Sequence, residues 1–387
     1  MELRKIKKGE KRYRTRRKSR TKTYVLRGLL VFLTVILVAV GTLFGVVATV
    51  AHGPSVTFRD QLVQMAMQAS ATKWVPGLFL DKATVDEIIA KGAEVKKEEM
   101  PIGSYIGGAY KPTRPDDPIV VPSGDDEKWV DGMYLQKLSY PNFKAYVLLV
   151  KDPSRIYVGT SSDFTDETVE GLDIFKLAKK EGCVAAINGG EFNDPGGVGT
   201  GNTPIGITYS NGQNVWEQTT KKTFIGFNNE NKLVVYDSMT AEKANELGIR
   251  DGVCFQTGIE NILISNNGKS VTLHRVSDAA TSQRTAIGQR EDGTIIFLVT
   301  DGRTPENLGA TYNDCIDIMM EFGAITAGML DGGSSSMLYY ENYWDVYGDT
   351  FKYDSLDKWQ KKGLVNSYKA FTYPRQIPTF FCVKPSA

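Results

Sequence analysis

Between residues 28 and 51 the chain runs for 24 residues without a charged side chain, and most of them are Leu, Val, Ala or Phe. As a helix rising about 1.5 Å per residue, this run is about 36 Å long, enough to cross a bilayer core of about 30 Å. It therefore divides the chain into a segment on one side of a membrane and a segment on the other. Residues 1–27 carry 13 Lys and Arg against 2 Asp and Glu, and positive charge flanks the apolar run on its N-terminal side only. The positive-inside rule then predicts a basic cytoplasmic tail at 1–23 and a transmembrane signal anchor at 24–51. The rest of this single-pass membrane protein is expected outside the cytoplasm, in a bacterial setting. A cleaved signal peptide fits less well, because the run is long and Thr-Val-Ala at 49–51 is a weak cleavage pattern.

The remainder holds 33 basic and 43 acidic residues, so it is mildly acidic. That argues against nucleic acid as a partner. Four cysteines stand at 183, 254, 315 and 382 with no CxxC spacing, and there are only two histidines. A Cys/His zinc site is therefore not expected. Cys183, Cys254 and Cys315 lie in or beside apolar runs, which predicts buried free thiols.

Residues 55–98 read as helical, with Leu62, Met65, Ala66 and Ala69 at helical spacing and Val85, Ile88 and Ile89 repeating it. Residues 101–127 are rich in Pro, Gly and Asp and read as a linker. Residues 52–127 are thus expected to be a helical stalk and linker, and 128–387 a single domain. Strands are predicted at 145–150, 155–158, 205–209, 223–227, 233–236, 271–276, 285–288 and 294–300. Helices are predicted from Asp173 to Gly182, over 241–247 and over 311–322. Two passages run strand–helix–strand. The fold class expected is α+β: a mixed, strand-rich sheet domain with few helices, preceded by one transmembrane helix and a short helical stalk.

The second of those passages ends on Thr-Ala-Gly-Met-Leu-Asp-Gly-Gly-Ser-Ser-Ser at 326–336, an apolar strand that runs into an aspartate, two glycines and three serines. The first ends similarly, on Val-Ala-Ala-Ile-Asn-Gly-Gly-Glu-Phe at 184–192. One such turn is ordinary, since Gly, Asn and Asp dominate turns. Two of them, each behind an apolar strand, point to a site offering Asp331, free backbone N–H groups and hydroxyls.

Four segments in order carry a family resemblance: Ile-Asn-Gly-Gly-Glu-Phe at 187–192, Gln-Arg-Thr-Ala-Ile-Gly at 283–288, Val-Thr-Asp-Gly-Arg at 299–303 and Leu-Asp-Gly-Gly-Ser-Ser at 330–335. From about Lys128 to its end the chain resembles the phosphodiester glycosidase family. Its best-known member removes N-acetylglucosamine from a phosphodiester. The Pro374-Arg375 segment is similar to the family's closing arginine. Glu191 stands where many relatives have an aromatic, which marks it as a local specificity residue. The resemblance implies a hydrolase acting on a sugar-1-phosphodiester, here in a surface polysaccharide or teichoic-acid-like glycan.

The residues leave little other hydrolase chemistry. There is no Gly-x-Ser-x-Gly elbow. His52 lies at the membrane, and His274 lies within a predicted strand and reads as structural. Carboxylates and arginines remain. Phosphate monoester is a weakly basic leaving group, so one carboxylate and good phosphate recognition suffice. The candidate catalytic groups are Asp331, Asn188, Asp301 and Glu191. For substrate and phosphate the candidates are Arg284, Arg303 and Arg375, the turn residues Gly189, Gly190, Gly332 and Gly333, and Ser334 and Ser335. Arg303 pairing with Asp301, or Arg284 pairing at a strand edge, is the plain structural alternative. No cofactor is required; Asp301, Asp331, Asn188 and Glu191 are oxygen ligands of the kind that suit Ca²⁺ or Mg²⁺. A glycopolymer phosphodiesterase, a cell-wall glycopolymer transferase and a non-catalytic glycan-binding envelope protein remain as alternative functions.

Overall fold

The computed structural model describes residues 3–67, 72–102, 118–122, 128–165, 170–197, 199–201, 203–277, 280–304, 307–368 and 373–386. They fall into two compact units, residues 1–60 with 77–81, and residues 61–76 with 82–387. In the first, one helix covers Leu3–His52, and its stretch Thr23–His52 is long and apolar enough to cross a membrane. Its Leu, Val and Phe side chains are exposed throughout most of that stretch.

The second unit is α+β and strand-rich. Its largest sheet has eight strands, in spatial order Val95–Pro101, Ser270–Val276, Ile262–Asn266, Ala324–Met329, Thr285–Arg290, Ile295–Thr300, Phe143–Val150 and Met133–Tyr140. A four-stranded sheet has the order Leu338–Tyr340, Ala185–Asn188, Thr379–Val383 and Ile156–Thr160. Five further strands between Thr208 and Phe255 form a third sheet. The core between the sheets is built from β-branched and aromatic side chains such as Tyr146, Ile187, Phe227, Phe297 and Phe381. All four cysteines are buried and free, as the apolar surroundings of Cys183, Cys254 and Cys315 suggest for those three.

Both strand–helix–strand passages are present, in a particular form. The Ile156–Thr160 and Ala185–Asn188 strands run the same way, each antiparallel to the Thr379–Val383 strand between them. Likewise the Ile295–Thr300 and Ala324–Met329 strands flank Thr285–Arg290, antiparallel to both. Each is a split βαβ unit, with one later or earlier strand inserted. The helices begin and end on the expected residues. Asp173 caps Ile174–Glu181 by accepting the N–H groups of Phe175 and Lys176, and Gly182 ends it at φ 63°. Thr311 and Asp314 form a capping box at the start of Tyr312–Glu321.

The segment before the domain differs from its reading as a helical stalk. Helices cover Val56–Met67 and Lys82–Gly92, but Val95–Pro101 is a strand paired with Ser270–Val276. Residues 95–98 therefore belong to the large sheet rather than to a helix. Their Val-Lys-Lys-Glu sequence has neither period clearly, and the pairing partner lies about 170 or more residues away. Val63, Val85 and Ile88 are buried, whereas Met65 is exposed, so the first helix turns a different stripe inward from the one its spacing suggested. Ala69 and most of the 101–127 segment lie outside the described residues.

Candidate active site

The two Gly-Gly turns meet. Asp331 N–H donates to the Gly189 carbonyl at 3.1 Å, and the Asn188 side-chain amide donates to the Asp331 carbonyl at 2.6 Å. The Asn188 Oδ1 accepts from Thr285 Oγ1 at 2.8 Å and from Met337 N–H at 3.1 Å. Asn188 is wholly buried, and its amide is committed to these three bonds. It lies beneath the site and fixes one turn to the other.

The turns do not offer the free N–H groups expected of them. Gly189 N–H donates to Thr379 O at 2.8 Å and Gly190 N–H to Thr379 Oγ1 at 3.2 Å. Gly332 N–H donates to Asp331 Oδ1 and Gly333 N–H to Gln283 O, both at 2.9 Å. The physical reason is close approach of backbones. A Cβ at position 189 would stand 2.4 Å from Thr379 Oγ1, and one at 190 would stand 2.2 Å from Cys254 O. These glycines let strands and turns pack together.

The carboxylates occupy three different settings. Asp331 reaches the cavity surface, yet protein surrounds its carboxyl on nearly all sides. That burial raises its pKa to about 6, against the opposing pull of Ser335, Arg375 and the Gly332 N–H. Asp301 is buried and also raised to about 6 by burial, while Tyr146 Oη donates to it at 2.9 Å and Ser367 N–H at 3.0 Å. Glu191 Oε2 is tied to Lys222 Nζ at 2.7 Å and accepts Gln256 N–H at 3.1 Å. Sequence spacing did not single out Tyr146 or Lys222. Tyr146 reads as one more core aromatic, and its hydroxyl partner lies 155 residues away.

The cations differ too. The Arg284 Nε donates to Ala310 O at 3.0 Å and its Nη2 to Ala280 O at 2.8 Å, while the guanidinium stacks 4.6 Å from the Tyr312 ring centre. Arg303 makes no ion pair with Asp301 or with any other described residue. Burial lowers its pKa, and Arg284 and Arg375 push in the same direction, against Asp331. Arg375 pairs with Asp194 and donates to Ser335 Oγ at 3.3 Å. Asp194 in turn accepts Gly199 N–H at 2.9 Å, so Arg375 links the glycine-rich sequence at 194–201 to the Asp331 turn. The Asp194 signal was present in sequence, as an Asx residue opening a Pro-Gly-Gly turn. Ser335 is buried, and Ser334 is exposed with its carbonyl accepting from Tyr368 Oη at 2.7 Å.

Two cavities adjoin these groups. The smaller, about 300 Å³, is lined by Asp331, Gly332, Arg284 and Tyr312, with Gln64 and Ile89 from the segment ahead of the sheet on its outer wall. The larger, about 970 Å³, is lined by Asp301, Ser336, Trp359 and Arg375 among others. Arg303 and Gly333 line both. Among the described residues no three or more His, Cys, Asp or Glu side chains converge to hold a metal ion. Asp301, Glu191 and Asn188 are each engaged by protein donors, and they do not form a Ca²⁺ or Mg²⁺ shell with Asp331.

Comparison with known proteins bears on this geometry. The "SPbeta prophage-derived uncharacterized protein YomE" of Bacillus subtilis (strain 168) is 26% identical over 193 residues, which are 48% of this chain and 27% of that protein. The chain thus spans little more than a quarter of that relative's length. Among solved structures, the zebrafish N-acetylglucosamine-1-phosphodiester alpha-N-acetylglucosaminidase catalytic domain, auto-inhibited by its pro-peptide, aligns with a TM-score of 0.47 at 16% identity, over 76% of this chain and 90% of that one. A putative exported protein of Burkholderia pseudomallei K96243 aligns with a TM-score of 0.39 at 13% identity, over 66% and 76%. The family model for phosphodiester glycosidase matches residues 181–384, a span that holds every candidate site residue named above and more than half of the chain. The protein belongs to the phosphodiester glycosidase family.

Proposed function

We propose that this protein is a membrane-anchored hydrolase that cleaves the bond between a sugar C1 and a phosphodiester oxygen, in a surface polysaccharide or teichoic-acid-like glycan. The observation that carries the reading is that Asp331 and Arg303 line the same cavity. Arg303 has no ion-pair partner among the described residues, and a part-buried guanidinium left unpaired is suited to a phosphate, which it can grip with two parallel N–H bonds.

In the proposed step the oxygen of a water molecule bonds to C1 as the C1–O bond breaks. The electron pair of that bond stays on the departing phosphate monoester, whose charge Arg303 and Arg284 stabilise. Asp331 takes the proton from water. The leaving phosphate is weakly basic and needs no strong acid. A base with a pKa of about 6 is largely ionised at neutral pH and still able to accept a proton. The rate therefore rises with pH as Asp331 loses its proton, and the limb centres near 6.

Asp331→Asn keeps the shape and removes the charge. Its kcat on a sugar-1-phosphodiester is expected to fall about 10³-fold with the melting temperature retained. The limb near pH 6 should vanish from the residual activity. An Asp331→Asn protein with normal kcat would remove Asp331 from the chemistry.

A further inference from the structure

The smaller cavity contains Asp331 and Arg284, and the larger does not. On the hydrolase reading above, on which this inference rests, the attacked sugar occupies the smaller cavity. The phosphate at Arg303 then emerges into the larger one, because Arg303 lines both. A leaving phosphate alone does not need about 970 Å³. That volume is near the upper end of ligand pockets, which run to about 1,000 Å³.

The walls of the larger cavity have a definite chemistry. Phe175, Trp359 and Tyr373 form an aromatic side. The Tyr373 ring lies 5.1 Å from Trp359 and is 80% exposed. Lys362 holds its ammonium 5.2 Å from the Trp359 ring centre and 5.8 Å from that of Phe175, with no ion pair to a described residue. The acids on the same wall are already engaged. Asp173 accepts two helix N–H groups and stands 3.5 Å from Lys176, and Asp301 accepts from Tyr146 and Ser367. Positive charge is therefore in surplus at Lys362 and Arg303. The Ser336 hydroxyl, on a residue 2% exposed, and Gln283 Oε1 have no hydrogen-bond partner among the described residues. Buried polar atoms of this kind are costly unless something satisfies them.

We infer that the larger cavity is a subsite for the leaving-group side of the substrate, taking at least one further sugar phosphate of a phosphate-linked glycan chain. The apolar face of a sugar ring lies on Tyr373, whose own ring packs against the buried Trp359. Its phosphate pairs with Lys362, and its hydroxyls meet Ser336 and Gln283. Such a site makes the enzyme selective for chains over small diesters.

The test uses the full chain in detergent and two substrates with the same scissile bond. One is a methyl diester of a hexose-1-phosphate. In the other, the leaving phosphate carries two further hexose phosphate units. The extended substrate should have a kcat/KM about 10-fold or more above the methyl diester, equivalent to about 1.4 kcal/mol. In the double variant Tyr373→Ala, Lys362→Gln, both at exposed positions, that ratio should fall to about 1. A wild-type ratio near 1, or a ratio the double variant leaves intact, overturns the subsite. If neither substrate is hydrolysed, the hydrolase reading fails, and calorimetry with the leaving fragment alone, a phosphate carrying two hexose phosphate units, decides the subsite separately. Binding weakened about 10-fold or more by the double variant supports it, and absence of wild-type binding overturns it.

Discussion

At the scale of single residues, Arg303 separates the functional reading from the structural one. Its φ of 58° places a non-glycine residue in the left-handed region, and its N–H donates to Leu308 O at 3.2 Å within the turn. Such backbone costs energy and persists where its surroundings enforce it. The plain reading of Thr-Asp-Gly-Arg at 300–303, an Arg303–Asp301 pair, does not occur, since Asp301 points its carboxyl at Tyr146 and Ser367. Arg303→Lys keeps the charge and loses the fork. We expect kcat/KM on a sugar-1-phosphodiester to drop about 10²-fold, or about 2.7 kcal/mol, with little change in melting temperature. A folded Arg303→Lys protein of normal kcat/KM would show that the phosphate is held elsewhere. The identity of the charged groups that line the smaller cavity, Asp331, Arg284 and Arg303, was legible from the motifs that carry the family resemblance, which lie at the ends of apolar strands. The acceptor of each turn N–H was not. That depends on partners such as Thr379, far along the chain from Gly189.

At the scale of elements, the site is the place where two split βαβ units end side by side, and Asn188 is the pin between them. Removing its side chain leaves the Asp331 carbonyl, the Thr285 hydroxyl and the Met337 N–H without these partners in a buried setting. Asn188→Ala should therefore destabilise the domain by about 3 kcal/mol. For a domain of this size the melting temperature falls by roughly 6–12 °C. A melting temperature that stays put while activity is lost would instead give Asn188 a chemical role. Helix ends and most strands were readable from capping residues and period, because those signals are local. The inserted strands were not legible. Nothing in the Thr379–Val383 segment says that it fits between Ile156–Thr160 and Ala185–Asn188, and nothing in 95–98 says that it will pair with Ser270–Val276.

At the scale of the whole molecule, charge and apolar length organise the chain. An exposed apolar helix at Thr23–His52 comes after a strongly basic segment, which suits a membrane anchor with its N-terminus in the cytoplasm. Protease added to intact cells is expected to degrade the sheet unit and spare the tail; a protected sheet unit would reverse the orientation. Hydrolysis of a sugar-1-phosphodiester in ¹⁸O-labelled water shows which bond breaks. With attack at C1 the label enters the sugar hydroxyl and the phosphate monoester stays unlabelled. Label in the phosphate would mark cleavage at phosphorus, a product with label in neither would mark transfer to another acceptor, and either result would rule out hydrolysis at C1.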